Sequence, residues 1–145
     1  MKEIRISIRI AASPSRVWDI FSDFSRYPEW NPFIRGIRGE FSAGGRLSVE
    51  LAPPDARPMT FKPRVLVNDP GREFRWKGHL LVPGVFDGEH IFELTGDGGA
   101  TVFTQREIFT GILVPLFAKM LDDNTRRGFE SMNEALRLRC EKGSG

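Results

Sequence analysis

SPSRVWDIFSDFSRYPEWNPF, residues 13 to 33, is the stretch whose reading decides the fold. Ser13 stands as an N-cap, and Pro14 follows at the first helical position, where its missing N–H costs nothing. Val17, Ile20, Phe21 and Phe24 recur at the spacing of one helix face. Tyr27-Pro28 ends that helix or breaks it into a second turn. Trp30-Asn31-Pro32-Phe33 then forms an aromatic loop. The segment therefore reads as two short helices and a rigid aromatic connection, set between one strand and a long run of others.

Upstream, Ile4, Ile6, Ile8 and Ile10 recur with period two while Arg5, Ser7 and Arg9 take the other face, the signature of a half-buried strand. Downstream, Phe33 to Glu40 and Arg46 to Leu51 are strands joined through Ala43-Gly44-Gly45, and Leu47, Val49 and Leu51 face inward. Ala52-Pro53-Pro54-Asp55 is a loop. Pro58 and Pro63 mark the next strand, from Met59 to Val67, as an edge or bulged strand. Asn68-Asp69-Pro70-Gly71 is a turn, and Arg72 to Leu80 alternates with Phe74, Trp76, Gly78 and Leu80 inward against Arg75, Lys77 and His79 outward. From Ile112 to Arg139 the chain reads as one amphipathic helix with Leu113, Phe117, Met120, Leu121, Asn124, Gly128, Met132, Ala135 and Leu136 on its inner stripe. Asn124 and Gly128 interrupt that stripe in its middle, as expected of a helix lying over a cavity.

Gly96-Asp97-Gly98-Gly99 is the hairpin turn between strands Val85–Thr95 and Ala100–Phe109. Pairing Leu94 with Thr101 sets Phe92 opposite Phe103, His90 opposite Gln105 and Gly88 opposite Glu107. All of these then share the face of Phe86 and Phe109 and point inward. The expected result is a Phe-rich inner surface carrying an imidazole, an amide and a carboxylate.

Composition narrows the function classes. A chain of 145 residues is expected to form one domain, residues 1–145, with an ordered core of about residues 2–140 and enough length to bury that core without disulfides or metals. Hydrophobic residues at 40% and charged residues at 28% exclude disorder. The 21 basic and 19 acidic residues leave a formal charge of +2 without a concentrated basic stripe, so nucleic acid is not an expected partner. Twelve Phe against one Tyr supply walls without polar atoms, suited to a deep core or to an apolar pocket. Cys140 is the only cysteine, so neither an intrachain disulfide nor a Cys-based zinc site is available. MKEIRISIRIAAS has no h-region and no apolar run is long enough to span a bilayer, so a cytoplasmic location without integral membrane association is expected.

The residues so placed resemble the SRPBCC superfamily, the helix-grip fold shared by START lipid-binding domains and bacterial polyketide cyclase/dehydrase-like proteins. The resemblance is carried by Ser13-Pro14 with Val17-Trp18 and Phe21, by Tyr27-Pro28-Glu29-Trp30-Asn31-Pro32-Phe33, and by the ending from Gly128-Phe129-Glu130 to Ala135-Leu136. It covers nearly the whole chain and is closest to the polyketide-cyclase-like bacterial branch. It implies an α+β architecture in which a seven-stranded curved antiparallel sheet, with two short N-terminal helices, wraps around a long C-terminal helix and leaves a hydrophobic tunnel between. Members include ligand carriers and ring-closing enzymes, so function rests on the site.

Two readings stand for His90: a general base or ligand anchor on the cavity, or a core histidine satisfied by Gln105. Glu107, the other catalytic candidate, lies at a cavity mouth, is answered by a basic group such as Arg64 or Arg106, although Arg106 has outward parity, or stands at a solvated strand end. Trp30 and Phe33 form either a lid over a ligand or a plug between helices and sheet. Phe74, Trp76, Phe92 and Phe103 are expected to supply wall area, and His90, Gln105 and Asn124 to orient one polar end, with Gly128 leaving room beside them. No HExxH, Walker-type loop or GxSxG elbow is present, and His79 faces away from His90, so no metal site and no cofactor are expected. The leading expectation is a binder of a small hydrophobic molecule, lipid-, polyketide- or aromatic-like, acting as a monomer or homodimer. A cyclase/dehydrase enzyme using His90 or Glu107, and a non-catalytic partner-binding domain, are the alternatives.

Overall fold

The computed structural model describes residues 1–54, 56–80 and 84–142. The sequence assignments of Asp55 to a loop, and of the Leu80, Met120 and Leu121 side chains to the inner face, lie outside what is described. Alternating Ile residues build β1 (Lys2–Ile10), with Ile4 and Ile10 fully buried. Ser13 Oγ accepts from Arg16 N at 3.2 Å and starts α1 (Pro14–Phe21), which buries Val17 and Phe21. A 3-10 turn (Phe24–Arg26) leads into α2 (Tyr27–Trp30). Tyr27 holds the two together by donating its buried hydroxyl to Phe21 O at 2.6 Å. Asn31 Oδ1 then accepts from the backbone N–H of Phe33 at 3.0 Å and of Ile34 at 2.8 Å, turning the chain into β2 (Ile34–Gly39).

Seven further strands include β2, β3 (Leu47–Leu51), β4 (Met59–Phe61), β5 (Arg64–Asp69), β6 (Glu73–Leu80), β7 (Phe86–Asp97) and β8 (Ala100–Thr110). They form two antiparallel sheets, β1-β8-β7-β6-β5 and β2-β3-β4. Backbone bonds between Gly44 N and Val65 O, Val65 N and Gly45 O, and Leu47 N and Pro63 O join the two into one curved surface. Eight strands replace the expected seven because Met59–Val67 is cut at Lys62-Pro63. Proline lacks the N–H that a continuous ladder needs.

The final hairpin corrects the expected register. Gly98 and Gly99, at φ 58° and 91°, form a two-residue turn, and Asp97 pairs directly with Ala100. Two successive left-handed residues match the twist of a hairpin, and glycine adopts them without steric cost. Gly96 and Asp97 are thereby drawn into β7, and the pairing slides by two residues. Leu94 meets Phe103, Phe92 meets Gln105, His90 meets Glu107 and Gly88 meets Phe109. An even slip preserves which face each side chain takes, so the inward assignments of His90, Gln105 and Glu107 stand while their partners change.

The C-terminal helical segment is not uniform. α3 (Val114–Met120) passes through a π-helical turn (Leu121–Thr125) into α4 (Arg126–Glu141). The wider turn rotates the stripe, and α4 buries Gly128, Phe129, Met132, Asn133, Leu136 and Cys140. Phe129, Asn133 and Cys140 are additions to the expected stripe; Ala135 is only half-buried. Arg16 Nε donates to Cys140 O at 2.7 Å and Ala11 N to Glu141 Oε2 at 2.9 Å, tying the end of α4 to the start of α1. No helix among the described residues is long and apolar enough to cross a membrane.

Candidate functional site

A cavity of about 270 Å³ lies between the curved sheet and the middle of the C-terminal helical segment. Phe33, Phe61, Trp76, Phe86, Phe109 and Phe129 give it apolar walls; His90, Glu107, Asn124 and Thr125 bring the polar groups. Arg57 and Met59, both exposed, mark its mouth. The space has a cause in the sequence. Gly78 and Gly88 pair across β6 and β7 at inward positions, so the sheet wall lacks two adjacent side chains there. The π-helical turn opens the opposite wall and presents Asn124 and Thr125, a common use of π turns.

His90 is 2% exposed and stacks on Phe92 with centroids 4.2 Å apart, between Trp76 at 5.0 Å and Phe129 at 4.9 Å. It heads a chain of buried polar groups. Asn133 Nδ2 donates to Ile6 O at 3.4 Å, and Gln105 Nε2 donates to Asn133 Oδ1 at 2.7 Å. The Gln105 amide is thus oriented with Oε1 toward His90 Nε2, 2.9 Å away. An amide oxygen only accepts, so Nε2 carries the proton and donates. In the neutral imidazole Nδ1 is then the lone-pair end, and it faces Glu107 Oε2 at 3.7 Å.

That separation is not a hydrogen bond. Glu107 Oε2 is enclosed and has no hydrogen-bond partner among the described residues. Desolvation by burial, aided by repulsion from Glu89, pushes the Glu107 carboxyl up to about 8. Desolvation likewise pushes the His90 imidazole down to about 3, against a smaller upward pull from the Gln105 bond. Both groups are therefore neutral near pH 7, with the proton on the carboxyl, and the pair is not a salt bridge. At the mouth, His79 Nδ1 lies 2.6 Å from Asp87 Oδ1, a bond that holds Asp87 below the usual carboxylate range.

Of the residues the sequence assigned to a ligand site, Phe33, Trp76, His90, Asn124 and Glu107 line the cavity. Phe74, Phe92 and Phe103 do not. They pack around Phe21 at 6.2, 5.0 and 5.6 Å between centroids, because α1 seats on that end of the sheet and fills it. Gln105 stands behind His90 rather than on the wall, held by α4. Trp30 is half-buried against Tyr27 at 5.1 Å, a plug between the short helices and the core. Gly128 leaves no cavity: a Cβ there would stand 2.5 Å from Phe33 Cε1, so the Phe33 ring occupies the gap. His79, read as outward, reaches the mouth where β6 and β7 end. Arg106 answers Glu93 at 2.9 Å and Glu3 at 3.1 Å on the outer face, so Glu107 is not its partner. Sequence reasoning missed Phe61, Thr125, Phe129 and Asn133. The last two were readable from the steps Phe129, Met132, Asn133, Leu136 and Cys140. Among the described residues no group of three or more His, Cys, Asp or Glu is placed to hold a metal ion.

Comparison with known proteins agrees with this architecture. Residues 1–141 match the family described as polyketide cyclase / dehydrase and lipid transport. No curated protein matches. Among solved structures, a protein from Thermus thermophilus superposes with a TM-score of 0.77 at 17% identity, covering 99% of this chain and 100% of that one. The Zhui aromatase/cyclase from a Streptomyces species gives 0.74 at 17% identity over 97% and 93% of the two chains. A START superfamily protein from Mycobacterium smegmatis gives 0.74 at 20% identity over 96% and 97%. At these identities the structural likeness speaks for the fold, and the family match extends it to sequence. A START-like helix-grip domain with a cavity against its C-terminal helix, this chain belongs to the polyketide cyclase / dehydrase and lipid transport family.

Proposed function

We propose that the protein binds one small apolar molecule in the cavity between its sheet and its C-terminal helical segment. The observation that carries this reading is the cavity itself: aromatic walls around a few convergent polar groups, the usual makeup of a ligand pocket. Its volume of about 270 Å³ is near the lower end for such sites and favours a compact ring system over a long acyl chain. Native mass spectrometry of gently purified protein tests the proposal, alongside Thr125→Trp, which sets a large ring into the cavity from the π-helical turn. The wild type is expected to retain or take up an apolar molecule, and the folded variant to lose it. Failure of the wild type to take up any neutral aromatic probe overturns the reading.

A second reading, proton-transfer chemistry of the cyclase/dehydrase type, has one observation in its favour, the neutral carboxyl and imidazole facing each other on the cavity wall. It does not favour His90 as the base, because burial disfavours the charged imidazole and the bond to Gln105 offsets that only in part. Glu107 fits better, as an acid toward a carbonyl oxygen. Ring closure of a short poly-β-ketone analogue, followed by aromatic absorbance and lost in Glu107→Gln, would favour turnover over binding alone.

A further inference from the structure

Resting on the binding reading above, we infer that Phe33, seated on Gly128, is the wall that fixes ligand size, so that the cavity buries two fused planar rings and leaves any third ring at its mouth. Glycine is a poor choice for a helix interior, where alanine is favoured, and it weakens strands as well. Three glycines nevertheless stand in the walls around this cavity. A Cβ on Gly128 would come within 2.5 Å of Phe33 Cε1 and 2.6 Å of its Cδ1. One on Gly78 would come within 3.2 Å of Phe61 Cδ2, and one on Gly88 within 3.2 Å of Glu107 Oε1. Phe33, Phe61 and Glu107 all line the cavity. Each is drawn back into a space that the Cβ of any other residue would take, and the cavity is what their withdrawal leaves.

The three seats are not equal. At 3.2 Å a neighbour needs to give by only a few tenths of an ångström, and the Glu107 carboxyl is the far end of a flexible side chain. At 2.5 Å the Phe33 ring has to move as a whole. Its backbone is held, since Phe33 N donates to Asn31 Oδ1 at 3.0 Å, and its ring packs against Phe129 with centroids 5.8 Å apart. Phe33 is otherwise enclosed, at 3% exposed, and the open space adjoining it is the cavity. A methyl group at Gly128 therefore pushes the ring into the ligand's place.

The ligand's size follows from the volume. An apolar cavity of roughly 150 Å³ holds one benzene ring, so one of about 270 Å³ holds two fused rings. The walls suit a flat guest. Phe61 and Trp76 stand at 67° to each other, and Phe33 and Phe129 at 74°, so both ring faces and ring edges are available, the contacts that aromatic rings prefer.

The test uses fluorobenzene, 1-fluoronaphthalene and 9-fluorophenanthrene, titrated by fluorine NMR. The proteins are wild type, Gly128→Ala, Gly78→Ala, Phe33→Val and the Gly128→Ala/Phe33→Val pair, each checked for folding by a thermal melt. Wild type should bind the two-ring probe about tenfold more tightly than the one-ring probe, and the three-ring probe no more tightly than the two-ring one. Gly128→Ala should weaken the two-ring probe about tenfold and the one-ring probe by less than about threefold. Gly78→Ala should have a smaller effect, in keeping with its longer contact. The three atoms that the carbon added at Gly128 would meet most closely all lie beyond Phe33 Cγ, where valine has none. The double variant should therefore recover two-ring binding to within about threefold of wild type, and Phe33→Val alone should bind the three-ring probe about tenfold more tightly than wild type does. A merely destabilising Gly128→Ala would weaken both smaller probes alike and would not be rescued by a second truncation in the core. Two-ring affinity unchanged in folded Gly128→Ala, or equal losses for one ring and two, overturns the role of Phe33 and leaves the cavity-binding reading standing. If Gly128→Ala does not fold, Phe33→Val decides, and no gain for the three-ring probe overturns the role. Absence of binding by all three probes to wild type overturns the cavity-binding reading and the role of Phe33 with it.

Discussion

Glu107 and His90 predict a stability plateau with two flanks. The folded carboxyl titrates at about 8 against an unfolded value near 4.5, and the folded imidazole at about 3 against 6.5. Stability changes with pH in proportion to the difference in protons bound by the unfolded and folded states. Between about 6.5 and 8 the folded protein holds one proton, on Glu107, that the unfolded chain has released, so stability falls as pH rises. Between about 4.5 and 6.5 the unfolded chain holds one on His90 while the folded protein holds one on Glu107, and the two contributions cancel. Between about 3 and 4.5 the unfolded chain holds both and the folded protein one, so stability falls as pH falls.

Each flank has a slope of about 1.4 kcal/mol per pH unit. Across the alkaline flank that is about 2 kcal/mol, or roughly 6 °C in melting temperature for a domain of this size. Urea unfolding at half-unit pH steps measures it, with Glu107→Gln as the reference that cannot ionise. His90 titrates in both proteins, so the difference between wild type and Glu107→Gln should grow steadily from about pH 4.5, through the wild-type plateau, and level off above about pH 8. Other titrating groups appear in both proteins and drop out of that difference. A difference that stays constant over this interval would refute the assignment of the proton to Glu107.

Gly128→Leu is expected to destabilise by about 1–3 kcal/mol, the usual cost of overpacking, because the added carbon meets the Phe33 ring at 2.5 Å; a thermal melt checks this, and an unchanged melt would mean that Phe33 swings into the cavity at no cost. His90→Phe keeps the stacked ring but strands the Gln105 oxygen in the core, so it should cost about 1–3 kcal/mol by urea titration and erase the acidic flank. Asn31→Ala removes the acceptor shared by the Phe33 and Ile34 N–H groups and should lower stability by about 1–2 kcal/mol, with earlier amide exchange at those two positions.

The fold was legible because its signals are local and repeated. Alternating Ile residues, a Ser-Pro cap and Gly/Pro turns each fix a short element without reference to the rest of the chain. The strand count failed at Pro63, where one missing N–H divides a segment whose side-chain pattern continues unbroken. The hairpin register failed for a related reason. Four turn-forming residues were available, and only the backbone conformation of Gly98 and Gly99 decides which two make the turn. The error was even-numbered, so the inner face was read correctly from the wrong partners.

The site was less legible because sequence parity reports a face and not a depth. Phe74, Phe92 and Phe103 share the inner surface with Trp76 and Phe109, yet α1 fills the space over the first three, and the cavity opens beside the others. What separates the two regions on the sheet is the Gly78–Gly88 pair, two inward positions with no side chain. In an antiparallel sheet such glycines weaken the strand, and their use is to leave room. The same residues explain why Glu107 tolerates burial. Gly88 makes space for its carboxyl, and burial, aided by repulsion from Glu89, disfavours the charged form. The proton retained on Glu107 is thus a consequence of its burial on the inner face of one strand pair.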